Sequence, residues 1–196
     1  MTGGTASDIP GLRFGAVVRH TDERGSFREL WRASETGLLS PELTGASVGP
    51  GTFVQANVSE SAPGVLRGLH LHRRQLDYWV VKAGRAFVAI VDVRPMLAGA
   101  DRPVVATAVL EADDSVVIPA GVAHGFLALE PLDMLYLVTN EFDGTDELGF
   151  AWDDPGANVP WPLSGSPDGR PILSERDRGN PSLVELVERL RDEARR

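Results

Sequence analysis

The sequence contains no cysteine. A disulfide scaffold, a thiolate zinc site and a cysteine nucleophile are therefore excluded. Lysine is nearly as scarce: Lys82 is the single one, and the other 18 of the 19 Lys and Arg residues are arginines. Chemistry that needs a lysine must use Lys82 or do without. No apolar run approaches the roughly 20 residues of a membrane span. The opening stretch MTGGTASDIPGLRF has no basic segment followed by an apolar one, so no signal peptide is read there. These absences predict a soluble, cytoplasmic protein with no membrane partner. A basic block is also missing, and the net charge is −9. A general nucleic-acid binder carries the opposite sign, so no nucleic-acid partner is expected. Neither a βαβ alternation nor a glycine-rich phosphate loop opening a helix is present, which excludes Rossmann and P-loop readings.

What is there is ordinary globular composition: 196 residues, 42% of them hydrophobic and 24% charged. That length predicts one domain over 1–196, with a core at about 12–163 and a loop and C-terminal helix over 164–196. Apolar runs rich in Val, Ile, Phe, Tyr and Trp alternate with Gly, Pro and Asp. They predict strands over 52–60, 65–72, 78–82, 86–93, 104–110, 115–118, 124–129 and 134–140, an all-β sandwich or barrel. The Asp22-Glu23-Arg24-Gly25 stretch reads as a hairpin turn. Helix is confined to the edges. A short one is expected over 41–43. A longer one is expected at the C-terminus, where Leu183, Leu186, Val187 and Leu190 recur at helical spacing behind a Ser182/Glu185 capping box. The Pro- and Gly-rich stretch between Asp153 and Asn180 predicts a long ordered loop of functional importance.

Three of the four histidines fall in two short motifs. The first is Gly64-Val-Leu-Arg67-Gly-Leu-His70-Leu-His72, followed by Asp77 and Gly84. The second is Ile118-Pro-Ala-Gly-Val-Ala-His124-Gly-Phe126. Side chains alternate along a strand, so His70 and His72 share a face. One isolated histidine is more often a core residue bonded to backbone. Three clustered among Gly and Pro point to a site at the mouth of a barrel.

With Asp22-Glu-Arg24-Gly-Ser-Phe27-Arg-Glu29, Phe53-Val-Gln55-Ala-Asn57, Leu135-Tyr136, Phe150-Ala-Trp152, Val159-Pro-Trp161 and Leu173-Ser-Glu-Arg-Asp177 added, the chain resembles the dTDP-4-dehydrorhamnose 3,5-epimerase family of the cupin superfamily. The resemblance implies a cupin-type jelly-roll barrel, a homodimer and a nucleotide-sugar substrate, a 4-keto-6-deoxyhexose. It implies inversion of carbons beside the ketone, C3, C5 or both, without a redox cofactor; no cofactor or metal is expected on this reading. A base with a pKa near neutrality removes the proton, which suits histidine. By resemblance His70 is that base, Asp177 orients it, and Tyr136 is the acid on the opposite face. His124 would line the pocket near the developing enolate. Arg24 and Arg67 would hold the diphosphate, Glu29, Gln55 and Asn57 would contact nucleotide or sugar, and Phe142 would stack.

Two positions depart from the pattern. Family members usually carry a lysine where this chain has Asp77. A unit charge about 4 Å away is worth roughly 4 kcal/mol at an effective dielectric of 20, so an ionised Asp77 would oppose an enolate. Lys82 lies five residues on and on the other strand face. The family also commonly has glutamine where this chain has His72. Together His70, His72, Asp77 and His124 resemble the ligand set of metallo-cupins, with Asp where Glu is usual. A divalent cation there would polarise a ketone, but it would occupy the lone pair that His70 needs as a base. Two alternatives therefore stand beside the epimerase: a metal-dependent cupin enzyme using those four ligands, and a non-catalytic sugar-nucleotide binding module.

Overall fold

The computed structural model of the chain describes residues 8–32 and 53–195. Its strands are β1 (Arg13–Ala16), β2 (Arg19–Asp22), β3 (Gly25–Arg28), β4 (Gln55–Ser61), β5 (Leu66–Leu71), β6 (Asp77–Ala83), β7 (Arg85–Asp92), β8 (Val104–Glu111), β9 (Asp114–Ile118), β10 (Val122–Ala128), β11 (Leu132–Val138) and β12 (Leu148–Gly149). The helices are α1 (Arg94–Leu97), α2 (Glu175–Arg178) and α3 (Leu183–Ala194). All eight expected strands are present, with ends shifted by a few residues. The strands β1 and β12 were not expected; at four and two residues they are too short to show a period. Thr52 and the helix expected over 41–43 lie outside the described residues.

Two antiparallel five-stranded sheets run in the orders β1-β9-β6-β11-β4 and β12-β5-β10-β7-β8, and β2 pairs with β3 in a separate hairpin. Trp79, Val81, Val116, Ile118 and Met134 of the first sheet pack with Val88, Ile90, Val122 and Phe126 of the second in one core. The sheets therefore face each other as a sandwich, as period-2 alternation requires. All seven residues of β10 are buried. Its outward face is covered by α3, whose Leu183, Leu186, Val187 and Leu190 pack against Leu69, Leu71, Ala89, Val91 and Ala123. Full burial of each such side chain contributes on the order of 1.5–3 kcal/mol. Ser182 and Glu185 close a reciprocal capping box at the start of α3, which satisfies two otherwise orphaned backbone donors.

One irregularity positions the site. The register between β10 and β5 pairs His124 with His70 but Phe126 with Arg67, so β5 carries an extra residue there. On an unbroken strand Arg67 and His70, three apart, would face opposite sides. The bulge turns both inward. Two glycines make it possible. A Cβ on Gly68 would lie 2.7 Å from Gly125 Cα, and one on Gly125 would lie 2.7 Å from the Arg67 carbonyl oxygen.

Candidate active site

A pocket of about 250 Å³ opens between the two sheets. His70 and Arg67 reach it from β5, His124 from β10, Asp77 and Trp79 from β6, Tyr136 from β11, and Gln55 and Asn57 from β4. His72, just beyond β5, and Phe142 complete the expected set that lines it. Arg24 and Glu29 do not line this pocket within one chain. Arg24 sits at the tip of the β2–β3 hairpin, 84% exposed and 2.5 Å from Asp22. Glu29 pairs with Arg32 at 2.6 Å.

His70 Nε2 lies 2.6 Å from Asp177 Oδ1. A carboxylate accepts, so Nε2 carries the hydrogen and Nδ1 keeps the lone pair. Asp177 is buried, with only 4% of its side chain exposed. It stands on the short helix α2, capped by Ser174, whose hydroxyl accepts from the Asp177 backbone N–H. Burial pushes the Asp177 carboxyl up, but hydrogen bonding and charge from His70, with Ser174 and Arg176, outweigh it and hold the group below its ordinary range. The carboxylate is thus charged and fixed behind the imidazole. The long loop expected after Asp153 supplies this residue.

Tyr136 comes from the facing sheet. It sits opposite Trp79 on one side and Asn57 on the other. Its hydroxyl donates to Ser59 Oγ. Burial raises its pKa, against a smaller opposing effect of Ser59 and Arg67. The phenol is therefore protonated across the neutral range, as an acid must be. The Trp79 ring stands edge-on between Tyr136, with centroids 5.7 Å apart, and His124, 5.1 Å away.

His124 is buried, and desolvation lowers its pKa to about 4. The ring is neutral at pH 7, with Nδ1 donating to the Val122 carbonyl oxygen at 3.0 Å. His72 is held the same way, its Nδ1 donating to the Asp146 carbonyl oxygen at 2.7 Å. The two rings lie 5.5 Å apart. Asp77 accepts from Gln75 Nε2 at 3.2 Å. The ligand atoms of His72, Asp77 and His124 fall within 4.8 Å of one another. His70 is not in that group. The four-ligand set suggested by the resemblance to metallo-cupins is thus reduced to three among the described residues. Lys82 pairs with Asp133 at 2.7 Å and does not line the pocket.

The outer wall is polar. Gln55 Nε2 donates to Asn57 Oδ1 at 2.9 Å, and Gln55 Oε1 accepts from the Phe142 backbone N–H at 2.8 Å. Arg67 is braced by Ser61 Oγ at 3.1 Å and the Glu60 carbonyl at 3.2 Å. Sequence reasoning missed Trp79, Gln75, Phe126, Val138 and Glu147 in the lining. The signal for Trp79 was available: two residues beyond Asp77 on one strand, it shares that residue's face.

Comparison with known proteins points the same way. The family model described as dTDP-4-dehydrorhamnose 3,5-epimerase matches residues 6–185. A dTDP-4-dehydrorhamnose 3,5-epimerase of Pseudomonas aeruginosa is 38% identical over 162 residues, covering 80% of this chain and 82% of that one. Among solved structures, an epimerase from Mycobacterium tuberculosis is similar with a TM-score of 0.75 and 30% identity, covering 99% of this chain and 92% of that one. A 3'-monoepimerase from Streptomyces bikiniensis in complex with dTDP-quinovose has a TM-score of 0.71 at 28% identity, covering 92% and 87%. With a protonated phenol and an imidazole backed by carboxylate lining one pocket, and the family's model spanning nearly all of its length, the chain belongs to the dTDP-4-dehydrorhamnose 3,5-epimerase family.

Proposed function

We propose that this protein inverts C3, C5 or both of a dTDP-linked 4-keto-6-deoxyhexose by proton removal and return through an enolate, in deoxysugar biosynthesis. One observation carries the reading: His70 and Tyr136 reach one pocket from facing sheets. A proton beside a ketone is weakly acidic, and its removal leaves negative charge on the ketone oxygen. His70 Nδ1 takes the proton, and Asp177 stabilises the imidazolium that results. Tyr136 delivers a proton to the other face of the carbon, which inverts it. The cycle closes when the His70 imidazolium gives its proton to water and the Tyr136 phenolate takes one from water. Base and acid catalysis of this kind each contribute about 10²–10⁴-fold.

Arg67 binds the diphosphate at the pocket mouth, where a guanidinium suits paired phosphate oxygens. Gln55, Asn57 and Phe142 hold sugar and base. Thymidine as the nucleotide rests on the relatives, one of which was solved with dTDP-quinovose.

The working unit is a homodimer. Phe27 and Val18, in and beside the β2–β3 hairpin, are 67% and 66% exposed. Apolar side chains so exposed fit a surface that a second copy covers. In that arrangement Arg24 and Glu29 of the hairpin serve the partner's pocket, not their own. Among the described residues no helix is long and apolar enough to cross a membrane, and a charged, diffusible nucleotide-sugar substrate supports a cytoplasmic place of work. Incubation with a dTDP-4-keto-6-deoxyhexose, followed by proton NMR of the sugar, tests the reading. A new epimer supports it; unchanged substrate after binding is demonstrated leaves a binding module.

A further inference from the structure

Three electron-pair donors converge at the inner end of the pocket. The Nδ1 atoms of His72 and His124 each face a backbone carbonyl oxygen, at 2.7 and 3.0 Å. A carbonyl oxygen only accepts, so each Nδ1 carries a hydrogen, and Nε2 is the nitrogen each ring has left to offer a ligand. Asp77 adds a carboxylate oxygen. The three ligand atoms lie within 4.8 Å of one another, and all three residues are buried. Among the described residues no arginine or lysine pairs with Asp77; its carboxylate accepts one hydrogen bond, the 3.2 Å contact from Gln75 Nε2. Acceptors gathered in a desolvated place repel unless something positive stands between them.

We propose that His72, Asp77 and His124 form a binding site for one divalent transition-metal ion of the zinc or iron(II) class. Two imidazoles and one carboxylate are a recurrent ligand set for such ions, and it leaves coordination positions open to a substrate. The carbonyls of Asp146 and Val122 act as outer supports that fix the two rings. His70 stands outside the set; its Nε2 is held by Asp177, and its Nδ1 is left to act as base. A base and a cation thus occupy separate residues of one pocket, and neither takes the other's lone pair. The ion's catalytic role rests on the epimerase reading: it would turn the negative charge of Asp77 into a net positive one and polarise the ketone oxygen. Binding itself does not depend on that reading.

The test has two arms. In the first, protein expressed without a histidine tag is stripped with a chelator and titrated with Zn(II) alone by equilibrium dialysis. One ion per chain is expected, with binding at least tenfold weaker in His72→Gln and in Asp77→Asn. Binding should be unchanged in His70→Gln, and Co(II) should give a visible spectrum typical of nitrogen and oxygen ligands. No saturable binding by the wild-type chain, or equal binding by both His72→Gln and Asp77→Asn, overturns the site. Loss in His70→Gln equal to that in His72→Gln overturns the separation of base and cation. In the second arm, solvent deuterium exchange into the sugar is followed with stripped and Zn(II)-loaded enzyme. Exchange only when loaded supports the polarising role. Equal exchange in both overturns that role and leaves the epimerase standing. No exchange in either, with one ion bound, keeps the metal site and overturns the epimerase.

Discussion

His70 and Asp177 stand 107 positions apart in the chain and 2.6 Å apart in space. The contact joins a strand of the inner sheet wall to a four-residue helix in the loop that precedes the C-terminal helix. It sets the tautomer of His70 and places a fixed negative charge behind the ring. Asp177→Asn removes the charge and lets the amide donate to Nε2, which moves the ring hydrogen to the nitrogen that should act as base. We expect kcat to fall by about 10²–10⁴-fold with KM changed little. Steady-state kinetics check this, and a loss confined to KM would assign Asp177 to substrate binding.

Tyr136 and Ser59 separate chemistry from support. Tyr136→Phe should abolish formation of the inverted sugar. Ser59→Ala should retain it at a reduced rate. The Ser59 hydrogen bond lowers the tyrosine pKa against the larger upward push of burial. Without Ser59, the basic limb of the kcat profile should therefore move to higher pH. A shift to lower pH would contradict the assignment of that limb to Tyr136.

Acid should unlock the loop that holds His72. Burial pushes the Asp146 carboxyl up, but the backbone N–H groups of Arg73 and Arg74, the Arg73 guanidinium and His72 outweigh it and hold it below its ordinary range. A carboxyl depressed in the folded state contributes stability above its unfolded pKa, near 3.9. That contribution is lost as pH falls through the folded value. Urea unfolding across a pH series should show a smaller acid loss for Asp146→Asn than for wild type. Parallel curves would remove Asp146 from the account.

The hairpin predicts complementation between subunits. On the proposed reading, His70→Ala removes the base, and Arg24→Ala removes a phosphate contact that the hairpin lends to the neighbouring pocket. Homodimers of either should be weak. Mixing under exchange conditions should restore activity in the one pocket of each mixed dimer that keeps both groups. Analytical ultracentrifugation verifies the dimer, and an absence of recovery on mixing would place Arg24 outside the site.

Much of this architecture was legible in the sequence. Period-2 runs marked the long strands, and Ser182 with Glu185 marked the start of the C-terminal helix, because these signals are local. What was hidden is non-local. Alternation alone puts Arg67 and His70 on opposite faces; the bulge at Gly68, pressed against Gly125, brings them together. Trp79 shares the inward face of Asp77, but residue type alone does not separate an aromatic that lines a pocket from one in the core. The resemblance of His70, His72, Asp77 and His124 to a metallo-cupin ligand set suggested a cation site of four ligands. That His70 lies apart from the other three is a matter of tertiary placement, which spacing does not show.

The most direct test of the central claim is deuterium incorporation from heavy water into a dTDP-linked 4-keto-6-deoxyhexose, followed by mass and proton NMR. Wild type should exchange hydrogen at the carbons beside the ketone that it inverts, so the label also distinguishes C3 from C5. His70→Ala should incorporate no label, whereas Tyr136→Phe should exchange without accumulating epimer. Wild-type exchange in His70→Ala would contradict the account.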